Sequence, residues 1–158
     1  MKTIELAYLA GVIDSDGTIG IKKNTYSMRV VGDSNAPTYS ERVCVKQVEP
    51  QAIDMLKQTF GGYRFTGNGS TPRAKRIQGW QVTDKKAAAC IKAILPYLRI
   101  KRSQAENCLE LRKLKEKSKK QRVAKGRGHI GAASRPVALS DSMQQLCDHA
   151  HTLNRVGI

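Results

Sequence analysis

The stretch Leu9-Ala10-Gly11-Val12-Ile13-Asp14-Ser15-Asp16-Gly17 sets two carboxylates at the end of an apolar segment. Leu6, Leu9, Ala10 and Ile13 recur at three- and four-residue spacing, which predicts a short helix from Ile4 to Asp14, stopped at Gly17. Ala7 and Gly11 lie four apart and make a small-residue ridge that a second backbone can approach closely. Apolar residues on all sides imply a buried helix. Its C-terminal end is the negative pole of the macrodipole, so Asp14 and Asp16 are disfavoured there and repel each other. A hard cation with oxygen ligands would reconcile them, and a local rule broken in this way is expected where function sets the sequence. The same Asp-Gly pair also starts ordinary turns, and the residues alone leave both readings open.

The charge points to a polyanionic partner. The 158 residues carry 28 Lys+Arg against 13 Asp+Glu, a net charge of +15, and residues 112–127 alone hold +8 of it. Concentrated positive charge favours phosphates through counterion release. A membrane surface fits less well, because the basic stretch lacks an interleaved apolar face. No apolar run approaches the roughly 20 residues of a membrane span. Glu5, placed before the run Leu6 to Ile13, speaks against a secretory signal. Cys44, Cys90, Cys108 and Cys147 form no Cys-x-x-Cys pair, so reduced, buried thiols in an intracellular protein are expected rather than zinc or disulfides. His149 and His151, two apart, read as solvated.

The elements that must position these residues follow from periodicity and turn chemistry. Thr18 to Val31 is β-rich, and Gly32 to Pro37 is a turn cluster. Thr38 to Val48 alternates, with Val43, Val45 and Gln47 on one side and Ser40, Arg42, Cys44 and Lys46 on the other. Pro50 opens a helix through Ile53, Leu56 and Phe60, closed by Gly61-Gly62. Tyr63 to Thr66 and Arg76 to Thr83 make a second strand pair. Asp84 is expected to cap an Ala-rich helix that runs to Leu95 and breaks at Pro96. A long helix from about Lys101 to Lys119 carries Leu109, Leu111 and Leu114, and after a linker from Gly126 to Pro136 a last helix starts at Ser140.

Leu9 to Gly17 resembles the signature of the LAGLIDADG homing endonucleases, matching seven of nine positions, with Val12 and Ser15 as mild departures. The α-β-β-α-β-β-α order over about residues 4–119 extends the resemblance. It implies an α+β chain with the αββαββα LAGLIDADG homing-endonuclease fold, a saddle-shaped antiparallel sheet and additional C-terminal helices. Residues 1–127 would form the endonuclease core with its basic helix, and residues 128–158 a linker and a helix packed on that core.

The implied activity is site-specific cleavage of double-stranded DNA, of the kind that serves intron homing. A divalent metal, Mg2+ or Mn2+, would assist phosphodiester hydrolysis in a long pseudo-palindromic target, leaving short 3′ overhangs. By match to the motif, Asp16 and the backbone carbonyl of Ser15 are the expected metal ligands. Lys101 and Gln47 match a basic and a water-positioning residue near the scissile phosphate. One motif per chain implies a homodimer through the motif helices, with Ala7, Ala10, Gly11 and Asp14 at the interface. The sheet would lie in the major groove, where every second side chain reaches a base edge. On the first hairpin these are Lys22, Asn24, Tyr26, Met28, Ser40, Arg42, Cys44 and Lys46. On the second they are Arg64, Arg73, Lys75, Arg76, Gln78 and Gln81. No small-molecule substrate and no membrane are expected. The compartment would be intracellular: cytoplasm in a bacterial or phage setting, or an organelle such as a chloroplast or mitochondrion. The alternative is an RNA maturase or a non-cleaving DNA-binding regulator on the same fold, although 5% aromatic residues leave little surface for stacking single-stranded RNA.

Overall fold

The computed structural model describes residues 3–24, 37–68, 75–124 and 137–155. Helix α1, Thr3–Asp16, passes without a loop into strand β1, Gly17–Asn24. Gly17 permits this junction, because a Cβ there would stand 2.6 Å from the Ile13 carbonyl oxygen. Strand β2 is Thr38–Gln47, helix α2 Pro50–Phe60, strand β3 Tyr63–Gly67 and strand β4 Ile77–Thr83. Helix α3, Asp84–Ile94, ends in a 3-10 turn at Leu95–Tyr97, followed by α4, Arg102–Ala124, and α5, Val137–Arg155.

The four strands form one antiparallel sheet in the order β1-β2-β4-β3. Helices α1 to α4 cover one face, and between the layers lie Leu9, Ile13, Ile19, Val43, Val45, Ile53, Leu56, Trp80, Val82, Ile91, Ile94 and Leu111. The alternation expected in β2 is seen: Tyr39, Glu41, Val43 and Val45 are buried on the helix side. Gly61 and Gly62 adopt φ +69° and +89° and close α2 as expected, with the Gly61 N–H donating to the Lys57 carbonyl at 2.9 Å.

Several expectations are corrected. Asp84 does not cap α3 with its side chain; it has φ +56°, and its carboxylate turns to Arg112 and Lys115 of α4. Helix α4 buries Ala105, Cys108 and Leu111, with Leu109 and Leu114 only partly covered. Helix α5 starts at Val137 rather than Ser140 and buries Met143, Cys147 and Ala150 on one stripe. It lies along the free edge of β1, where Cys147 Sγ and Asn154 Nδ2 donate to the carbonyls of Ile21 and Ile19. An edge strand that would otherwise template aggregation is thereby covered. The strand expected beyond Asn24, the turn cluster over Gly32–Ala36 and the linker at 126–136 lie outside the described residues.

Candidate active site and nucleic-acid interface

The two carboxylates of α1 have opposite surroundings. Asp14 is buried, and it is not unpaired. The backbone N–H groups of Arg99 and Ile100 donate to its Oδ2 at 2.6 and 3.2 Å, and that of Lys101 to Oδ1 at 3.0 Å. The carboxylate thus sits at the N-terminal entrance of α4, where unsatisfied N–H groups and the positive dipole end favour an anion. Asp16 is exposed and, among the described residues, receives one bond, from Gln47 Nε2 to Oδ2 at 2.6 Å. The Lys101 ammonium reaches back to donate to the Asp14 carbonyl. Partial burial pushes the Lys101 ammonium down from its ordinary value, while Asp14 and Asp16 pull it back up.

Asp16, Gln47 and Lys101, distant in sequence, therefore meet where α1 runs into β1. Asp16 lines two clefts, of about 540 and 450 Å³. The Ser15 hydroxyl is turned back onto its own helix, donating to the Val12 carbonyl at 3.2 Å. Among the described residues no group of three or more His, Cys, Asp or Glu side chains could enclose a metal. The donors that are present, an exposed carboxylate and the carbonyls at the end of α1, are oxygens, which suit a hard cation sharing its shell with ligand oxygens and water.

Helix α1 is not buried all round. Leu9, Ala10, Val12, Ile13 and Asp14 face the core, so Ala10 and Asp14 are unavailable to a second chain. The outward stripe is Ile4, 80% exposed, Ala7, Tyr8, 50% exposed, Gly11 and Ser15. A Cβ at Gly11 would meet nothing within 4 Å. Ile4 and Tyr8 were not among the expected interface residues, although their three- and four-residue spacing with Ala7 and Gly11 gave the signal.

Register sorts the sheet residues. Directly paired residues share a face. Gly20↔Arg42, Lys22↔Ser40 and Thr18↔Cys44 place the expected residues of the first hairpin on the outward face, with Lys46 and Asn24 in the same phase. Cys44 is nonetheless buried and forms the floor of a cleft. Cys44↔Gln81 and Gln81↔Tyr63 carry that face across β4 and β3, so Gln81 is outward as expected. Arg64 and Gln78 are not. They pair with Trp80 and Gln47, on the helix side, where Arg64 binds Asp54 of α2 and donates to Gln78 Oε1 at 3.2 Å. In their place the outward residues are Tyr63, Phe65, Ile77 and Gly79. Lys75 and Arg76 are exposed just before β4. Tyr26, Met28 and Arg73 lie outside the described residues. His151 and Asn154 of α5, also not anticipated, line the larger cleft beside Lys22 and Arg42.

The outward strand residues of the sheet include Lys22, Arg42 and Lys46 and no carboxylate among the described residues; Glu41, the one acid in the four strands, points inward to Arg112 and Lys115. The face is built to meet negative charge.

No family model matches the chain, and no curated protein does. Solved structures do. The homing endonuclease I-CvuI, in complex with the I-CreI target and Mg without cleavage of the DNA, superposes with a TM-score of 0.67 at 18% identity, over 95% of this chain and 82% of that one. An archaeal intron-encoded homing endonuclease complexed with DNA gives 0.57 at 13% identity, over 95% and 94%. The LAGLIDADG homing endonuclease I-GzeII with its DNA target gives 0.53 at 12% identity, over 83% and 51%. A helix carrying six of the seven matching signature residues, with the seventh, Gly17, opening a four-stranded antiparallel sheet backed by helices, is the LAGLIDADG homing-endonuclease fold, and this chain has it.

Proposed function

We propose that this protein is a site-specific double-strand DNA endonuclease that acts as a homodimer. The observation that carries the reading is the meeting of Asp16, Gln47 and Lys101 at the end of a sheet face whose outward strand residues, among those described, include Lys22, Arg42 and Lys46 and no carboxylate. Asp16 and the Ser15 carbonyl would hold a divalent ion against phosphate oxygens. When bound, Mg2+ or Mn2+ supplies Lewis acidity and an activated water.

The chain's own residues contribute orientation and charge. Gln47 fixes one oxygen of Asp16 through a 2.6 Å bond and keeps its amide oxygen as an acceptor for water. Lys101, anchored on the Asp14 carbonyl, sets a cation where negative charge develops on the phosphate and the leaving 3′ oxygen. One chain supplies one such carboxylate, so a cut on both strands calls for a second copy. The exposed stripe Ile4, Ala7, Tyr8 and Gly11 is apolar and small enough to seat the same helix of a partner. The two-fold implies a pseudo-palindromic target with half-sites about one helical turn apart, cut to leave short 3′ overhangs. Four free, buried cysteines fit a reducing, intracellular compartment.

The test is cleavage of a randomised duplex library with Mg2+, beside Ca2+ and Asp16→Asn controls. Cuts at one pseudo-palindromic sequence that vanish with Asp16→Asn support the nuclease. Selective binding with no cutting would move the protein to the regulator or maturase class.

A further inference from the structure

The sheet face is chemically divided. On β1 and β2 the outward side chains are cationic or hydrogen-bonding, with Lys22, Arg42 and Lys46 among them. On β3 the arrangement is reversed from what a sheet on a helix layer requires, while β4 keeps Trp80 and Val82 toward the core. The aromatic side chains Tyr63 and Phe65 point away from the core, whereas Arg64 between them points toward it and is held by Asp54. Tyr63 is 68% exposed. Its ring stacks on Phe65, with centroids 6.2 Å apart and planes 15° from parallel. Phe65 in turn lies flat over Gly79, where a Cβ would stand 2.3 Å from its ring carbons. This is a preformed apolar platform; Lys75 and Arg76 are exposed just before β4, at the Gly67 end of the hairpin rather than the Tyr63 end.

We infer that this platform reads thymine methyl groups in the major groove, with Tyr63 as the specificity-determining contact. The inference rests on the duplex-DNA reading above. The platform is continuous with the basic face through the pairs Cys44↔Gln81 and Lys46↔Gly79, so one ligand must satisfy both halves. That ligand is polyanionic at Lys22, Arg42 and Lys46 and apolar at Tyr63. On the edges of base pairs exposed in the major groove, the apolar group is the C5 methyl of thymine. Arg64, between the two aromatic residues in sequence, is turned to the far face and paired with Asp54, so it places no cation on the platform itself.

The test uses the full chain and the duplex recovered from the library, with Ca2+ present so that binding is read without cutting. Thymines in one half-site are replaced one at a time by deoxyuridine, which deletes the methyl group and leaves base pairing intact. At one or two positions affinity should fall about fourfold, the size expected for one buried methyl. Tyr63→Ser should lower affinity for the thymine target and abolish the thymine-to-uracil difference at that position, while Tyr63→Phe keeps it. The exposure of Tyr63 makes both variants safe for the fold, which a thermal melt verifies. Sensitivity at no thymine, or sensitivity unchanged in Tyr63→Ser, overturns the inference while leaving the endonuclease reading intact. So does an outcome in which Tyr63→Ser alters only self-association or single-stranded RNA binding. Failure to select any duplex removes the endonuclease reading, and this one with it.

Discussion

Asp14 and Asp16 are the same residue type two positions apart, and the chain uses them for different ends. Asp14 answers three backbone N–H groups 85 to 87 residues away, and so fixes the segment that carries Lys101. Asp14→Ala leaves those part-buried donors without their acceptor. We expect a loss of about 2–4 kcal/mol in denaturant unfolding, and cleavage to fall with it because the backbone segment that carries Lys101 is no longer held by the carboxylate. Asp16 is exposed and bound only to Gln47 in the described structure. Asp16→Asn should leave the melting temperature within a degree or two, keep DNA affinity, and abolish cutting. A variant that cuts at the wild-type rate would remove Asp16 from the site. The sequence made both acids conspicuous, as charges at the wrong end of an apolar helix. It could not say which was already satisfied, because the partner of Asp14 is a loop with no local signal near α1.

Among the elements, the first hairpin was legible and the second was misread, for a physical reason. In β2 the β-branched residues Val43 and Val45 mark the core side, and alternation does the rest. In β4 the pair Trp80 and Val82 does the same and places Gln78 inward; that signal was available. In β3 alternation misleads, since its aromatic residues face outward and its arginine inward. The bond that holds β2, α3 and α4 together was invisible to pattern. Glu41, fully buried, binds Arg112 and Lys115, and both also reach Asp84. Burial alone would raise the Asp84 carboxyl, but Lys115 and Arg112 hold it down to about 2, against 3.8 ordinarily. Because the folded value lies below the unfolded one, this contribution is complete above about pH 4 and is lost as pH falls through about 2. The melting temperature should drop across that window. In Asp84→Asn the drop should be shallower and the neutral-pH value lower. Equal slopes in the two proteins would mean that the network does not couple to acid unfolding.

At the scale of the whole molecule, α1 has two jobs that its composition alone could not separate. It packs the core with Leu9, Ala10 and Ile13, and it exposes Ile4, Ala7, Tyr8 and Gly11. An apolar helix face left open on a chain of net charge +15 suits a partner that excludes water without adding charge, and in the proposed homodimer a second α1 would be that partner. Gly11→Leu tests this with a signature that damage to the fold cannot imitate. Within one chain the new side chain enters open space, since even a Cβ at Gly11 meets nothing within 4 Å. Replacing a mid-helix glycine by leucine also removes a helix-propensity cost of roughly 0.5–1 kcal/mol. The variant protomer should therefore be as stable as the parent or slightly more so. Between two chains the same side chain would hold the helices apart by more than close packing tolerates. Sedimentation should show monomers, and double-strand cutting should disappear while each protomer stays folded. If Gly11→Leu sediments as a dimer, α1 is not the interface, and the pairing of two Asp16 carboxylates at one cut site falls with it.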